Sequence, residues 1–220
     1  MADRAEWIAE RRRINELRMD SLFAPGYDDH WGRINLSHRT MLARLLDMCP
    51  SGPRILDAAC GTGKYWPLLL EHGARIVGTD QSGGMLRQAR AKHPEVPVVK
   101  AGLQELSFTA EFDGAICVDA MENVFPEHWP AVLARLKKAV NPGGSLYLTV
   151  ELPEDDLAET YAAALAAGLP VVAGEYLNDG GYHYYPDPSQ ISDWISATGL
   201  LVADAITDDG YRHYLLSTPR

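Results

Sequence analysis

Short apolar runs alternate with helix-like stretches through the middle of the chain. Two such apolar runs occur at 55–56 and 75–79, and the alternation continues to Val150. Strands that alternate with helices in this way pair in parallel, and the helices cover both faces of the sheet. The pattern therefore predicts a doubly wound, Rossmann-like α/β fold.

Helical periodicity marks both flanks of this core. At the front, residues from Asp3 to about Met19 are predicted to form an amphipathic helix, and a second helix starts near Ser37, a suitable N-cap. Behind the core, Ser189 is a suitable cap for the last helix. The other predicted elements are an Ala-rich helix at 154–167, an irregular segment at 174–186, the last helix at 190–197, and two strands near 201–206 and 211–217 that form a closing hairpin around 208–210.

Residues 54–80 carry the chemistry of the core. An apolar run leads into a tight turn of small residues at 58–63, a helix-like stretch follows, and a second apolar run ends in Asp80. A strand, a glycine turn, a helix and a second strand tipped by a carboxylate place a nucleoside across the carboxyl ends of a parallel sheet. The bound compound should therefore contain a ribose.

The turn is unsuited to phosphate. A dinucleotide fingerprint needs a third glycine where this chain has Trp66, and a Walker loop needs Ser or Thr after the lysine, where Lys64 is followed by Tyr65. Asp57, directly before the turn, would repel a pyrophosphate but attract a sulfonium and an ammonium group. These properties favour S-adenosylmethionine (SAM).

Residues 56–63, Leu-Asp-Ala-Ala-Cys-Gly-Thr-Gly, resemble the first motif of the class I SAM-dependent methyltransferases. Ala59 replaces the family's first glycine, which costs little if the backbone there keeps a negative φ. Gly102 stands where the family usually has Asp, so adenine recognition would fall to the backbone of Gly102 and Leu103. Further resemblance covers 80–89, 101–108, 112–119 and 136–144.

The resemblance implies a mostly parallel seven-stranded sheet with an antiparallel C-terminal strand. One methyltransferase domain, 1–220, would comprise an N-terminal helical cap (1–50), a SAM-binding core (51–151) and a region with a small lid insertion, the last helix and the hairpin (152–220). Asp80 would hold both ribose hydroxyls, and Tyr27 either covers the methionine end of SAM or only packs. The implied cofactor-binding residues are Tyr27, Asp57, Ala59, Cys60, Gly61, Gly63, Asp80, Gln81, Met85, Gly102, Leu103, Val118 and Asp119.

Methyl transfer needs a positioned nucleophile and, for an acceptor that loses a proton, a base. His183 is the first candidate for that base, because three tyrosines surround it in the irregular segment and imidazole titrates near neutral pH. The alternative is an apolar lid in which His183 only hydrogen-bonds to backbone. Predicted acceptor-side residues are His30, Trp31, Glu122, Tyr182, Tyr184 and His213.

The acceptor is predicted to be a small molecule. After the fourth strand the chain reads Asp-Ala-Met-Glu at 119–122, and this differs from the Asn/Asp-Pro-Pro-Tyr/Phe of nucleic-acid and glutamine methylation. Oxygen and nitrogen acceptors remain open. Two other functions also remain open: a SAM enzyme of the same fold with a different reaction, and a SAM-binding module without turnover.

Charge and composition limit the classes of molecule that the protein is expected to bind. A net charge of −10 disfavours nucleic acid, and the three cysteines lack metal spacing, so no metal is expected. No apolar run approaches 18 residues and no signal peptide is evident. We therefore expect a cytoplasmic protein without membrane contact, as a monomer or homodimer.

Overall fold

The computed structural model describes residues 3–178 and 181–220. Its α-helices are α1 (Arg4–Arg18), α2 (Tyr27–Trp31), α3 (Leu36–Asp47), α4 (Trp66–Glu71), α5 (Gly83–Lys92), α6 (Trp129–Ala139), α7 (Leu157–Ala166) and α8 (Pro188–Thr198). Its strands are β1 (Arg54–Ala58), β2 (Arg75–Asp80), β3 (Val98–Lys100), β4 (Phe112–Cys117), β5 (Val140–Glu151), β6 (Glu175–Asn178), β7 (Gly181–Tyr184), β8 (Leu201–Asp208) and β9 (Tyr211–Ser217).

Seven strands form one sheet in the order β3-β2-β1-β4-β5-β9-β8. The first five pair in parallel, and β9 is antiparallel to both β5 and β8. The predicted doubly wound sheet with an antiparallel C-terminal strand is confirmed. Strand order reverses at β1, between β2 and β4, and such a switch point opens a crevice at the carboxyl ends of the strands.

The core lies on both faces of the sheet. Successive side chains of a strand point to opposite faces, so in β4 Ala115 and Cys117 belong to one apolar layer and Ile116 belongs to the other. The first layer includes Trp129 of α6, and the second includes Trp66 of α4. Packing on both faces holds the strand ends, and hence the crevice, in fixed positions.

The segment predicted to be irregular at 174–186 contains an antiparallel hairpin of β6 and β7. The sequence suggests hinge freedom at Gly180 and Gly181, and the first of these glycines lies outside the described residues. Tyr182 on β7 is stacked on Phe125 with ring centroids 3.9 Å apart. Trp7 of α1 meets both rings edge to face, so the segment predicted to be irregular contributes Tyr182 to the core.

An ion pair joins the hairpin to the front of the chain. Arg4 of α1 donates hydrogen bonds of 2.6 and 2.8 Å to Glu175 of β6, whose side chain is fully buried. The hydroxyl of Tyr182 donates to the same carboxylate at 2.7 Å. A buried carboxylate is stable only when it is paired and hydrogen-bonded, and these donors meet that need.

Both predicted serine caps are misplaced by two residues. Asn35 precedes α3, so Ser37 lies in the first turn of the helix. At α8 the cap is Asp187, whose carboxylate accepts from the backbone N–H of Ser189 at 2.8 Å. The proline at the first position of α8 favours this start, because its φ suits a helix and its missing N–H needs no partner there.

Candidate active site

The turn after β1 carries three residues with positive φ. These are Ala59 (φ 62°), Gly61 (φ 53°) and Gly63 (φ 75°). A Cβ at Gly63 would lie 2.6 Å from the Trp66 ring, so that glycine is required for packing. A Cβ at Gly61 would meet nothing within 4 Å, because this residue faces open space at the switch point.

Ala59 departs from its expected conformation. The substitution was expected to cost little at a negative φ, but the backbone there is left-handed. An alanine in this region costs about 1–2 kcal/mol. The turn therefore keeps the shape of a glycine turn at an alanine, which is strain of the kind found near binding sites.

Asp80 closes the far side of the turn. Its carboxylate accepts the backbone N–H of Gly61 at 2.8 Å and that of Ser82 at 2.7 Å. Burial raises the pKa of Asp80 to about 6, and the two N–H donors act in the opposite direction. The side chain lies at the end of β2 beside a small cavity of about 110 Å³.

The small cavity brings most of the predicted cofactor residues together. Among its lining residues are Tyr27, Ala59, Gly61, Asp80, Gln81, Met85, Gly102, Leu103 and Asp119. They come from the front segment, the turn after β1, the end of β2, the start of α5 and the loops after β3 and β4. The cavity thus lies across the carboxyl ends of the parallel strands.

Four predicted cofactor residues lie elsewhere: Asp57, Cys60, Gly63 and Val118 line neither of the two described cavities. Asp57 is buried under the turn and accepts the indole N–H of Trp66 at 2.8 Å. Burial raises the pKa of Asp57 to about 7, with the indole bond opposing. The attraction between Asp57 and a sulfonium stays a prediction; in the structure one oxygen of this carboxylate accepts from Trp66 of α4.

The adenine end differs from its expectation as well. The backbone N–H of Gly102 donates to its own neighbour Glu105 at 3.0 Å. The resembled family usually has an aspartate where this chain has Gly102. Two side-chain amides lie next to that position, since a Cβ at Gly102 would lie 3.4 Å from Oε1 of Gln104 and 3.7 Å from Oε1 of Gln81. Both glutamines line the small cavity.

A larger cavity of about 620 Å³ adjoins the small one. The two share Met19, Tyr27, Asp119 and Asn123 in their linings. The predicted acceptor-side residues found in the larger cavity are His30, Trp31, Glu122, Tyr182 and the predicted base His183. A reaction between a group in one cavity and a group in the other would take place at this shared wall.

His183 stands in a titratable cluster. Its Nδ1 lies 2.8 Å from Oε2 of Glu151 and 3.1 Å from the hydroxyl of Tyr185. Burial disfavours the imidazolium, but the close carboxylate of Glu151 and the charge of Glu122 outweigh this effect and raise the pKa of His183. Glu122 is itself 6% exposed, and burial together with the charge of Glu151 raises its pKa.

Two predicted acceptor-side residues lie away from the cavities. Tyr184 is 1% exposed and packs against Trp129, with its hydroxyl bonded to Gln190 on α8. His213 is fully buried, and its Nδ1 accepts from the hydroxyl of Tyr147 at 2.8 Å. Neither residue lines a described cavity.

The sequence interpretation assigned no role to His38, yet this residue lines the larger cavity. Its Nε2 hydrogen-bonds to Oδ1 of Asp119 at 3.1 Å, and Oδ2 of the same carboxylate accepts from Lys64 (3.1 Å) and Tyr65 (2.8 Å). Burial opposes the charge, but His38 and Lys64 lower the pKa of Asp119 to about 2. A spacing signal existed, because His38 precedes the buried Met41, Leu42 and Leu45 at intervals of three, four and seven.

A crevice at the switch point and an adjoining cavity lined by titratable groups define a Rossmann-like enzyme that binds a nucleoside cofactor. A family model described as a methyltransferase domain matches residues 55–144. The chain is 31% identical to the trans-aconitate 2-methyltransferase of Azoarcus sp. (strain BH72), over 87% of each chain. It is 32% identical to the demethylmenaquinone methyltransferase of Corynebacterium urealyticum, over 73% of each chain.

Solved structures show the same fold. The 1,6-didemethyltoxoflavin-N1-methyltransferase of Burkholderia thailandensis, with S-adenosylhomocysteine bound, superposes with a TM-score of 0.73 at 20% identity and covers 100% of this chain and 92% of that one. The magnesium protoporphyrin IX methyltransferase of Synechocystis PCC 6803 gives 0.69 at 18% identity, covering 94% and 99%.

The chain belongs to the class I SAM-dependent methyltransferases. It is an enzyme whose cofactor is SAM. Within the described ranges, no helix combines the length and the apolar character needed to cross a membrane.

Proposed function

We propose that this methyltransferase transfers the methyl group of SAM to a nitrogen or oxygen atom of a small molecule bound in the larger cavity. The observation that carries the proposal is the wall shared by the two cavities at Tyr27, Asp119 and Asn123. A cofactor in the small cavity and an acceptor in the large one would meet there, next to the cluster around His183.

In this proposal the described cavity lining holds the cofactor. Asp80 accepts both ribose hydroxyls in charge-assisted hydrogen bonds. Gly61 lets the methionine part pass close to the turn, since its missing side chain leaves open space there. Tyr27 covers the methionine end, and adenine lies near Leu103 and the amides of Gln81 and Gln104.

The reaction is an in-line displacement. A lone pair of the acceptor atom forms the new bond to the methyl carbon while the carbon–sulfur bond breaks. The bonding pair returns to sulfur, and S-adenosylhomocysteine leaves as a neutral thioether. Most of the rate enhancement comes from holding the two reacting atoms in line and in contact, with water excluded.

His183 accepts the proton that an oxygen or N–H acceptor loses. Its Nδ1 faces Glu151 and Tyr185, which fixes the ring and leaves Nε2 as the basic nitrogen. Glu151 stabilises the imidazolium that forms, in the way a carboxylate supports a histidine base. Only neutral imidazole accepts a proton, so activity should rise with pH through a value above the ordinary 6.5 of histidine.

The names of the relatives support a small acceptor and leave its reacting atom open. One structural neighbour is named an N1-methyltransferase, and a sequence relative from Xanthomonas axonopodis is named an O-methyltransferase of ubiquinone biosynthesis. The cytoplasmic location, the single-domain organisation, the monomeric or homodimeric state and the absence of a nucleic-acid partner stay predictions.

A metabolite library scored by release of S-adenosylhomocysteine tests the function. With the acceptor so found, His183→Ala should lower kcat by roughly 10² while SAM affinity stays the same. The matched control is His72→Ala, at an exposed position next to α4. Full activity of His183→Ala across pH 6 to 9 would exclude His183 as the base. The histidine would then serve only in the packing of the cavity wall.

A further inference from the structure

We infer that the acceptor is a planar ring that presents a hydrogen-bond donor, a ring N–H or a phenolic O–H, to Glu122, and that carboxylate-bearing acceptors are rejected. This inference rests on the proposed function, because it takes the larger cavity to be the acceptor site. It adds the chemical class of the acceptor and the residue that selects it.

The inference is based on one carboxylate oxygen of Glu122 that lacks a hydrogen bond. It lies in the short 3₁₀ helix Met121–Asn123 after β4, is 6% exposed, and lines the larger cavity. Its Oε1 accepts from the side-chain amide of Asn123 at 3.1 Å. Its Oε2 is buried and has no hydrogen-bond partner among the residues that the structure describes.

Without a donor for Oε2 the ionised form of Glu122 is unfavourable, so burial raises the pKa of this carboxyl in the unliganded protein. A ligand that donates a hydrogen bond to Oε2 favours the ionised form and recovers that free energy. Nearby cations are already engaged in other contacts: His183 lies against Glu151, and Lys64 donates to Asp119. No described residue donates to Oε2, which leaves this position open to a donor on the ligand. A neutral N–H or O–H group at the edge of a ring satisfies this requirement.

The same charges disfavour an anionic acceptor. Glu151 at the end of β5 and the exposed Glu154 line the cavity together with Glu122. Arg18 and Arg33 also line it, but they come from the front of the chain and are less buried than Glu122. A carboxylate in this cavity would meet the charges of Glu151 and Glu154 at low dielectric, where like charges interact strongly. The same repulsion already acts on Glu122, because the charge of Glu151 adds to burial in raising its pKa.

Aromatic walls select a flat molecule. One aromatic group of the lining comes from the front of the chain, where Trp31 lies against Tyr27 and Phe23 with ring centroids 5.4 and 5.5 Å apart. A second group is the pair Tyr176 and Tyr185, with ring centroids 5.9 Å apart. Rings prefer offset or edge contacts with other rings, and a cavity of about 620 Å³ is of the size that holds a small organic ligand.

Calorimetry on the S-adenosylhomocysteine complex tests the inference with matched probes. Lumazine has two ring N–H groups and 1,3-dimethyllumazine has none; catechol and 1,2-dimethoxybenzene form the corresponding O–H pair. At least one donor ring should bind ten times more tightly than its blocked partner, and Glu122→Gln should remove most of that difference. Trans-aconitate should bind more weakly than the donor ring.

Glu159→Gln, exposed on α7, is the control for loss of one carboxylate. Equal binding of blocked and unblocked rings, no binding of either donor ring, or tightest binding of trans-aconitate would each overturn the inference. Those outcomes leave methyl transfer standing as long as S-adenosylhomocysteine binds. Failure of the wild-type protein to bind S-adenosylhomocysteine would instead refute the proposed function.

Discussion

Replacement of Asp80 by asparagine should weaken cofactor binding. The amide can accept from only one of the backbone N–H groups of Gly61 and Ser82, so melting curves are needed to separate this loss from an effect on folding. The change keeps the size of the side chain but removes the charge that would hold the ribose hydroxyls. A hydrogen bond to a charged partner contributes about 1.5–3 kcal/mol and a neutral one about 0.5–1.5. Two hydroxyls should therefore lose about 2 kcal/mol in all, which weakens S-adenosylhomocysteine roughly 30-fold.

The pH dependence gives a second, independent measurement. Burial raises the pKa of Asp80 to about 6 in the unliganded protein, and the ligand binds the ionised carboxylate. Protonation below pH 6 therefore competes with binding, so wild-type affinity should fall about tenfold between pH 7 and pH 5. Asp80→Asn carries no titrating group there, and its affinity should change little over that range.

Isothermal calorimetry with S-adenosylhomocysteine measures both effects. Asp193→Asn, on the exposed side of α8, is the control, and melting curves of the unliganded variants establish that each is folded. An unchanged affinity of Asp80→Asn at pH 7.5 would refute the placement of the ribose. A wild-type affinity that is flat down to pH 5 would show that the carboxylate is not in contact with the ligand.

Three further changes test the turn and the base. Gly61→Val should abolish binding of S-adenosylhomocysteine, because valine is strained at φ 53° and its side chain enters the small cavity; binding by calorimetry at wild-type strength would place the cofactor elsewhere. Ala59→Gly should raise the free energy of unfolding by about 0.5–1 kcal/mol, since it relieves the left-handed alanine at some entropic cost; a lower midpoint in urea would contradict this. Glu151→Gln removes the partner that helps to raise the pKa of His183, so the acidic limb of the kcat/KM profile should move to lower pH; a limb that does not move would separate His183 from the reaction.

Local patterns were enough to predict the sheet and the cofactor end of the site. Asp80 ends the second strand, one helix after the glycine turn. Both features are local, so the sequence placed this carboxylate at the switch point. The turn also shows the limit of such reasoning. Nothing in the identities of residues 56–63 indicates that Ala59 is left-handed.

The acceptor side depends on register and on distant contacts. Tyr211 and His213 share one face of β9, but the register sets Tyr211 opposite Glu151 at the rim of the sheet and His213 opposite Thr149. Two residues of strand are about 6.7 Å, enough to take His213 from the cavity into the core. The hairpin at 175–184 forms against Trp7, about 170 positions earlier, and no local pattern reveals that partner.

The ion pair between Arg4 and Glu175 limits which chimeras of this enzyme can fold. All but four of the described residues that line the larger cavity lie outside 55–144, either before it or after it. The cofactor-binding core can thus be kept while the two flanks are exchanged for those of a relative. Glu175 is buried and paired with Arg4. A chimera that takes only one flank from another parent would leave this buried carboxylate without its ionic partner. Working hybrids should therefore require both flanks from the same parent.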